Sequence, residues 1–175
     1  MNSRLEIMSD VKAIVGVLGP GESATPDDNE MAFELGRGIA RNGWVLLTGG
    51  RNFGVMEAAL KGARDVNGLT LAILPGDSDK EASENAIIRI ATGMGSGRNV
   101  INALTSKVLV VVGMAAGTAS EVSHALKAGR KVILLNQDEI TVQFFKKIGG
   151  YKVMVANTVD ESLTMIRDYL AVHVH

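Results

Sequence analysis

Short runs of branched apolar residues alternate along this chain with longer stretches whose apolar positions recur every three or four residues. Ala13–Leu18, Trp44–Leu47, Leu69–Leu74, Ala86–Ile90, Val108–Val112 and Val132–Leu135 read as strands, because a strand buried on both faces is continuously apolar. Val108–Val112 is the most apolar and is expected inside the sheet, whereas Lys152–Val155 reads as an edge strand. A helix is predicted to start at Thr25-Pro26-Asp27-Asp28, where a capping hydroxyl, a first-turn proline and two acids facing the dipole coincide. Its apolar stripe is Met31, Leu35 and Ile39, and Gly43 suits the position just past its end. Further helices are expected over Gly54–Val66 (Val55, Ala58, Ala59 and Ala63 on one side), Arg98–Thr105, Thr118–Ala128 ending at Gly129, Thr141–Ile148 and Glu161–Leu170. The polar, aperiodic stretch Asp77–Asn85 reads as an exposed loop. This alternation, without repeat or linker, predicts one α/β domain over residues 11–171, with tails at 1–10 and 172–175. Its architecture is a doubly wound, mostly parallel sheet with helices on both faces.

Composition narrows the partners. A chain of 175 residues is long enough for one sizeable core. At 46% apolar but only 4% aromatic, that core is built from Val, Ile, Leu, Ala and Met. A net charge of -1 without a basic run argues against nucleic acid and against an anionic membrane surface. The absence of cysteine excludes disulfides and thiolate metal sites and fits a reducing cytoplasm. No apolar stretch approaches the roughly 20 residues of a membrane span. The opening MNSRLEIMSD is polar and mixed in charge, unlike a secretion signal.

The candidate chemistry lies in four glycine-bearing loops that follow strands: Gly19–Thr25, Thr48–Met56, Gly93–Asn99 and Gly113–Glu121. In an open parallel sheet the carboxyl ends of the strands border one crevice. Glycines let backbone amides approach a ligand there, and the following helix turns its positive end toward it. The four loops therefore predict one shared site for an anionic, phosphorylated small molecule. Gly49, Gly50 and Gly54 form GGxxxGxM between a strand and a helix, which suits a phosphate or ribose contact, or a tight turn. No Walker A motif is present, and Gly19 and Gly21 supply only the first two glycines of GxGxxG. Arg98 follows three glycines and opens a helix. A cation at that positive end is unfavourable unless an anion bridges the two; the alternatives are solvent or a neighbouring acid. Thr118 and Glu121 are placed in the first turn after Val108–Val112. Thr118 reads as an N-cap or a phosphate ligand, and Glu121 as facing the bound group or complementing the dipole. His124 shares a helix face with Glu121 and reads as a packing or hydrogen-bonding residue. His173 and His175 fall in the tail. Asp27, Asp28, Asp77 and Asp79 lack metal-ligand spacing, so no metal site is predicted.

Together, Gly49-Gly50-x-x-x-Gly54-x-Met56, Gly97-Arg98-Asn99 and Gly117-Thr118-x-x-Glu121 resemble the Rossmann-like LOG superfamily, over roughly Val11 to Leu135. That superfamily includes the cytokinin-activating nucleoside 5′-monophosphate phosphoribohydrolases and the molybdenum cofactor carrier proteins. In the hydrolases, the resemblance makes Arg98 and Glu121 the catalytic residues that cleave the base–ribose bond. This chain departs from that branch. Gly113-Met114-Ala115-Ala116-Gly117-Thr118 stands where the hydrolases have PGGxGT, and Asn99 stands where they have lysine. Alanine is costly wherever φ must be positive, and Met114 is expected to add bulk at the crevice mouth. Loss of the second cation weakens electrostatic support for a hydrolytic transition state. The stretch from Ala91 to Asn99 looks more like the carrier branch, although carriers usually keep GGGxGT.

The resemblance thus implies a carrier that binds and protects molybdenum cofactor, a pterin dithiolene with a terminal phosphate. The expected site residues are Gly19, Gly21, Gly49, Gly50, Gly54, Arg98, Asn99, Gly117, Thr118 and Glu121. The dithiolene holds the metal itself, so no protein-bound metal is expected. The alternatives are a phosphoribohydrolase and a nucleotide-sensing module without turnover. A homo-oligomer, dimer or tetramer, is also implied, with molybdoenzymes or their insertion machinery as partners.

Overall fold

The computed structural model describes residues 13–173, so the expected tail at 1–10 lies outside the described residues. Seven strands form one sheet: β1 (Ile14–Leu18), β2 (Val45–Thr48), β3 (Thr70–Leu74), β4 (Ile88–Ala91), β5 (Val108–Val112), β6 (Lys131–Leu135) and β7 (Val153–Ala156). Their order is β4-β3-β2-β1-β5-β6-β7, and every pairing is parallel. Six α-helices lie among the described residues: α1 (Pro26–Arg41), α2 (Gly54–Asp65), α3 (Arg98–Thr105), α4 (Ala116–Lys127), α5 (Glu139–Gly149) and α6 (Val159–His173). The doubly wound α/β architecture is the one expected from the alternation of elements.

Alternation along the strands assigns the helices to faces. Val108, Val110 and Val112 of β5 share a core with Leu35 and Ile39 of α1, Ala59 and Leu60 of α2, and Ile166 of α6. Leu109 and Val111, one residue out of phase, pack with Ala103 of α3, Val122 and Ala125 of α4, and Phe145 of α5. Successive side chains of a strand point to opposite faces, so a continuously apolar β5 serves both cores and is buried throughout. It lies inside the sheet beside β1, the central strand.

Capping fixes the first helix as expected. Thr25 Oγ1 accepts from the Asp28 backbone N–H at 3.1 Å, and Asp28 Oδ2 accepts from the Thr25 N–H at 2.9 Å. Elsewhere tertiary contacts move the boundaries. The helix expected at Thr141 begins at Glu139, because Asp138 caps it through the Thr141 N–H at 2.9 Å. Strand β4 runs Ile88–Ala91 rather than from Ala86, and as an edge strand it leaves Ile88 and Ile90 exposed. The closing helix continues to His173, whose ring stacks on Tyr169, so Val172 and His173 are helical rather than tail. Asp77–Asn85 is not wholly exposed: Ala82 and Ser83 are buried. The Ser83 N–H donates to the Gly50 carbonyl at 2.9 Å, and Arg51 pairs with Ala82 in an antiparallel bridge. No helix among the described residues is long and apolar enough to cross a membrane.

Helices α1 and α2 meet backbone against backbone. A Cβ added at Gly36 would overlap the Ala59 carbonyl oxygen, and one at Gly62 would overlap that of Phe33. Alanine gains about 1 kcal/mol over glycine in a helix interior, but here it would force the helices apart. Overpacking of this kind costs about 1–3 kcal/mol. Gly36→Ala and Gly62→Ala are therefore each expected to lower the urea midpoint of unfolding; a raised midpoint in either would contradict this close packing.

Candidate functional site

The chain leaves β1 toward the β4 edge, then crosses back to place β5 on the other side of β1. The loops after β1 and β5 consequently diverge and open a crevice at the carboxyl ends of the strands, the usual ligand position in such sheets. Its volume is about 440 Å³, and its walls include Gly19, Gly21, Gly49, Arg51, Phe53, Arg98, Asn99, Gly117, Thr118 and Glu121. Of the ten residues expected at the site, eight converge here. Gly50 and Gly54 do not line the crevice and instead hold its loops in place. A Cβ at Gly50 would press on Ala72. Gly54, at φ +63°, has the Gly21 and Pro20 carbonyls against it, a conformation and a space that favour glycine.

The glycines that do line the crevice act by close approach. A side chain at Gly19 would strike the Val112 carbonyl, and one at Gly21 would lie 2.6 Å from Phe53 Cε2. The Arg98 guanidinium lies on Gly49, where any Cβ would overlap it. Gly117 differs from the other three: nothing of the protein lies within 4 Å of where its Cβ would stand. Its missing side chain keeps the crevice clear.

Arg98 is 9% and Glu121 7% exposed, so the charges at the centre of the site are largely out of water. Arg98 Nη1 stands 3.5 Å from Glu121 Oε1, and Asn102 Nδ2 donates to the same oxygen at 2.7 Å. Burial holds the Arg98 guanidinium below its ordinary range; Glu121 opposes this and the charge of Arg51 adds to it. Burial likewise raises the Glu121 carboxyl, against the Asn102 hydrogen bond and the charge of Arg98. The pairing alternative for Arg98 and its place in the crevice are thus both realised. Asn99 Nδ2 reaches the Gly117 carbonyl at 3.5 Å and ties the start of α3 to that of α4.

Three helices begin at or beside this crevice, and none has a side-chain cap. The residues before α2, α3 and α4 are Phe53, Gly97 and Ala115. The helices that begin elsewhere are satisfied by their own side chains: α1 by Thr25, α5 by Asp138, and α6 by Thr158, whose Oγ1 accepts from the Glu161 N–H at 3.2 Å. Backbone carbonyls meet some of these amides: the Val55 N–H donates to Pro20 and the Arg98 N–H to the 3-10 turn Gly95–Gly97 that leads into α3; first-turn amides left over carry partial positive charge and suit acceptors. An anion with several oxygens in the crevice would supply them.

The glycine-poor loop after β5 differs from expectation. Helix α4 starts at Ala116, which makes Thr118 its third residue rather than its cap and puts Glu121 beyond the first turn. Thr118 is nonetheless buried against the crevice. Ala115 is extended at φ -144°, so alanine meets no strain there. The one position in the loop that needs a left-handed backbone, Gly113 at φ +67°, has kept its glycine. Met114 does not stand at the crevice mouth; it packs on the core that holds Leu18 and Val122. His124 is exposed, whereas Glu121 is buried. Residues 174–175 are not among those described, and among the described residues no group of His, Cys, Asp and Glu could hold a metal ion.

Sequence reasoning missed Arg51, Phe53 and Asn102. Arg51 lies between two of the glycines singled out, and its place in that loop was the available signal. Asn102 falls one helical turn after Arg98, which puts both on one face.

Together these features describe a doubly wound α/β domain whose switch-point crevice brings Arg51 and Arg98 together. The chain belongs to the SLOG cluster4 family, whose model matches residues 12–163. This bears out the LOG-superfamily resemblance. Among solved structures, the molybdenum cofactor binding protein of Rippkaea orientalis is 45% identical, with a TM-score of 0.89 over 91% of this chain and 98% of that one. The molybdenum cofactor carrier protein of Chlamydomonas reinhardtii is 46% identical, with a TM-score of 0.88 over 91% and 99%. An uncharacterized protein of Archaeoglobus fulgidus is 46% identical over 121 residues, 69% of this chain and 78% of its own length.

Gly117 and Arg98 give opposed readouts. Gly117→Ala should leave thermal unfolding unchanged or slightly raised, since alanine is the better helix former, while weakening the binding of a phosphorylated ligand in calorimetric titration. Arg98→Ala should weaken it about 10- to 100-fold, the cost of losing charged hydrogen bonds worth roughly 1.5–3 kcal/mol. Unchanged affinity in both variants would place the ligand elsewhere.

Proposed function

We propose that this protein binds molybdenum cofactor and carries it in protected form, without turning it over. The observation that carries this reading is the meeting of three uncapped helix N-termini and a buried arginine in one crevice. The chain is also 45–46% identical to proteins named as binding or carrying that cofactor, over 91% of its length. The terminal phosphate would accept from the amides of α4 and from Arg98. The pterin would take the remainder of a cavity whose size is ordinary for a small-molecule site. Because the dithiolene keeps the metal, a chain without cysteine suits this cargo.

The proposal extends to setting and partners. A cytoplasmic location fits the absence of cysteine, and a molybdoenzyme or its insertion machinery would receive the cofactor. A homo-oligomer would draw on exposed apolar residues such as Ile88 and Ile90 on the β4 edge, Met94 in the following loop and Leu104 on α3, since exposed apolar surface marks contact sites where it is contiguous.

Two measurements check the reading. Incubated with purified molybdenum cofactor, the protein should retain it through gel filtration and slow its loss to air oxidation. With AMP it should release little or no adenine. Robust adenine release that disappears in Glu121→Ala would instead assign Arg98 and Glu121 to phosphoribohydrolase chemistry. For assembly, light scattering at micromolar concentration should give a multiple of the 18.5 kDa chain mass; a monomer mass would remove the β4 edge as a self-contact.

A further inference from the structure

Arg51 has no ionic partner among the described residues, and its buried Nε has no hydrogen-bond acceptor. It is not a stray surface side chain. Its backbone is fixed by the bridge to Ala82, and its guanidinium carbon lies 5.8 Å from the centroid of the Phe53 ring. It faces the main crevice, and it also faces two smaller hollows beside it, one shared with Arg98, Asn99 and Gly117, the other with Lys80 and Glu81. It is close enough to Arg98 for the two like charges to press on one another.

A second guanidinium placed beside a buried one is unfavourable unless something negative joins them. Glu121 answers Arg98, at 3.5 Å; among the described residues no carboxylate pairs with Arg51, although Glu22 also lines the crevice, and the N-termini of α2, α3 and α4, none with a side-chain cap, lie beside it. An acceptor between the arginines would be met by the terminal Nη groups of Arg51, which lines the crevice and the hollow it shares with Arg98, and would relieve the repulsion.

We propose that Arg51 is a second anion-binding residue and that, paired with Arg98, it selects a doubly charged terminal phosphate over a singly charged one. This deepens the carrier reading and rests on it only for the identity of the cargo. A phosphomonoester carries two charges above its second pKa near 6, about -2 at pH 8, whereas a phosphodiester carries one. The guanidinium fork presents several donors in a plane that matches phosphate oxygens. A ligand whose phosphate is esterified at both ends would lose both the second charge and one acceptor oxygen.

The test uses methyl phosphate and dimethyl phosphate at pH 8, by isothermal titration with thermal unfolding run alongside. The wild-type chain should bind the monoester more tightly. In Arg51→Ala the monoester should weaken about 10- to 100-fold, the diester much less, so that most of the preference disappears. Arg51→Gln keeps most of the stem against Phe53 without the charge and should behave like the alanine variant, which covers a folding failure of the latter. Arg51→Lys keeps the charge without the fork and should retain part of the preference. Native unfolding with undiminished monoester affinity in Arg51→Ala or Arg51→Gln would overturn the proposal, as would equal affinity of the wild type for the two esters. Failure to retain molybdenum cofactor, with the monoester preference intact, would overturn the carrier reading and leave the arginine pair standing.

Discussion

The site depends on a charge kept away from water. Arg98 is held on the face of Gly49, with Glu121 beside it and Asn102 bonded to the carboxylate. Burying either ion alone would be costly, and burying both is tolerable only when geometry and hydrogen bonds are supplied together. The arrangement draws on three elements: the β2 loop for the seat, α3 for the arginine and the amide, and α4 for the acid. The sheet order that sets β1 between β2 and β5 brings them to one point. Packed hydrocarbon in place of such a pair is often as stable or more so, so the pair does not by itself account for the stability of the fold.

The helix termini divide along the same line. Helices α1, α5 and α6 are closed by Thr25, Asp138 and Thr158, each with its side chain on a backbone amide. Those bordering the crevice have phenylalanine, glycine and alanine at the corresponding position. Caps contribute about 1 kcal/mol each, so three helices without them represent stability given up in one place. The scaffold offsets this with dry, two-sided packing around β5 and β1 and with the glycine-mediated contact of α1 and α2.

Much of the molecule was legible in the chain. Continuous apolar runs marked strands buried on both faces, and the Thr25 capping box, the Leu35 and Ile39 stripe and the fully buried Val108–Val112 all stand as read. Glycines at 19, 21, 49 and 117, with Arg98, Asn99, Thr118 and Glu121, do meet in one crevice. These features are local: periodicity, capping chemistry and glycine content follow from neighbours in sequence.

The rest depends on contacts between distant segments. Tertiary structure turned Met114 into the core, left Ala115 extended without strain, and drew Asp77–Asn85 onto the β2 loop through Ser83 and Ala82. It also separated glycines that look alike: Gly54 and Gly50 shape loops, Gly49 seats a guanidinium, and Gly117 leaves space for a guest. That Arg51 pairs with no carboxylate among the described residues has no trace in the sequence, where Asn52 and Glu57 stand close by and a neutralising contact is easy to imagine. Whether a charge is paired, buried or free depends on which distant segments the sheet order brings beside it, and strand order is a property of the whole chain rather than of any stretch of it.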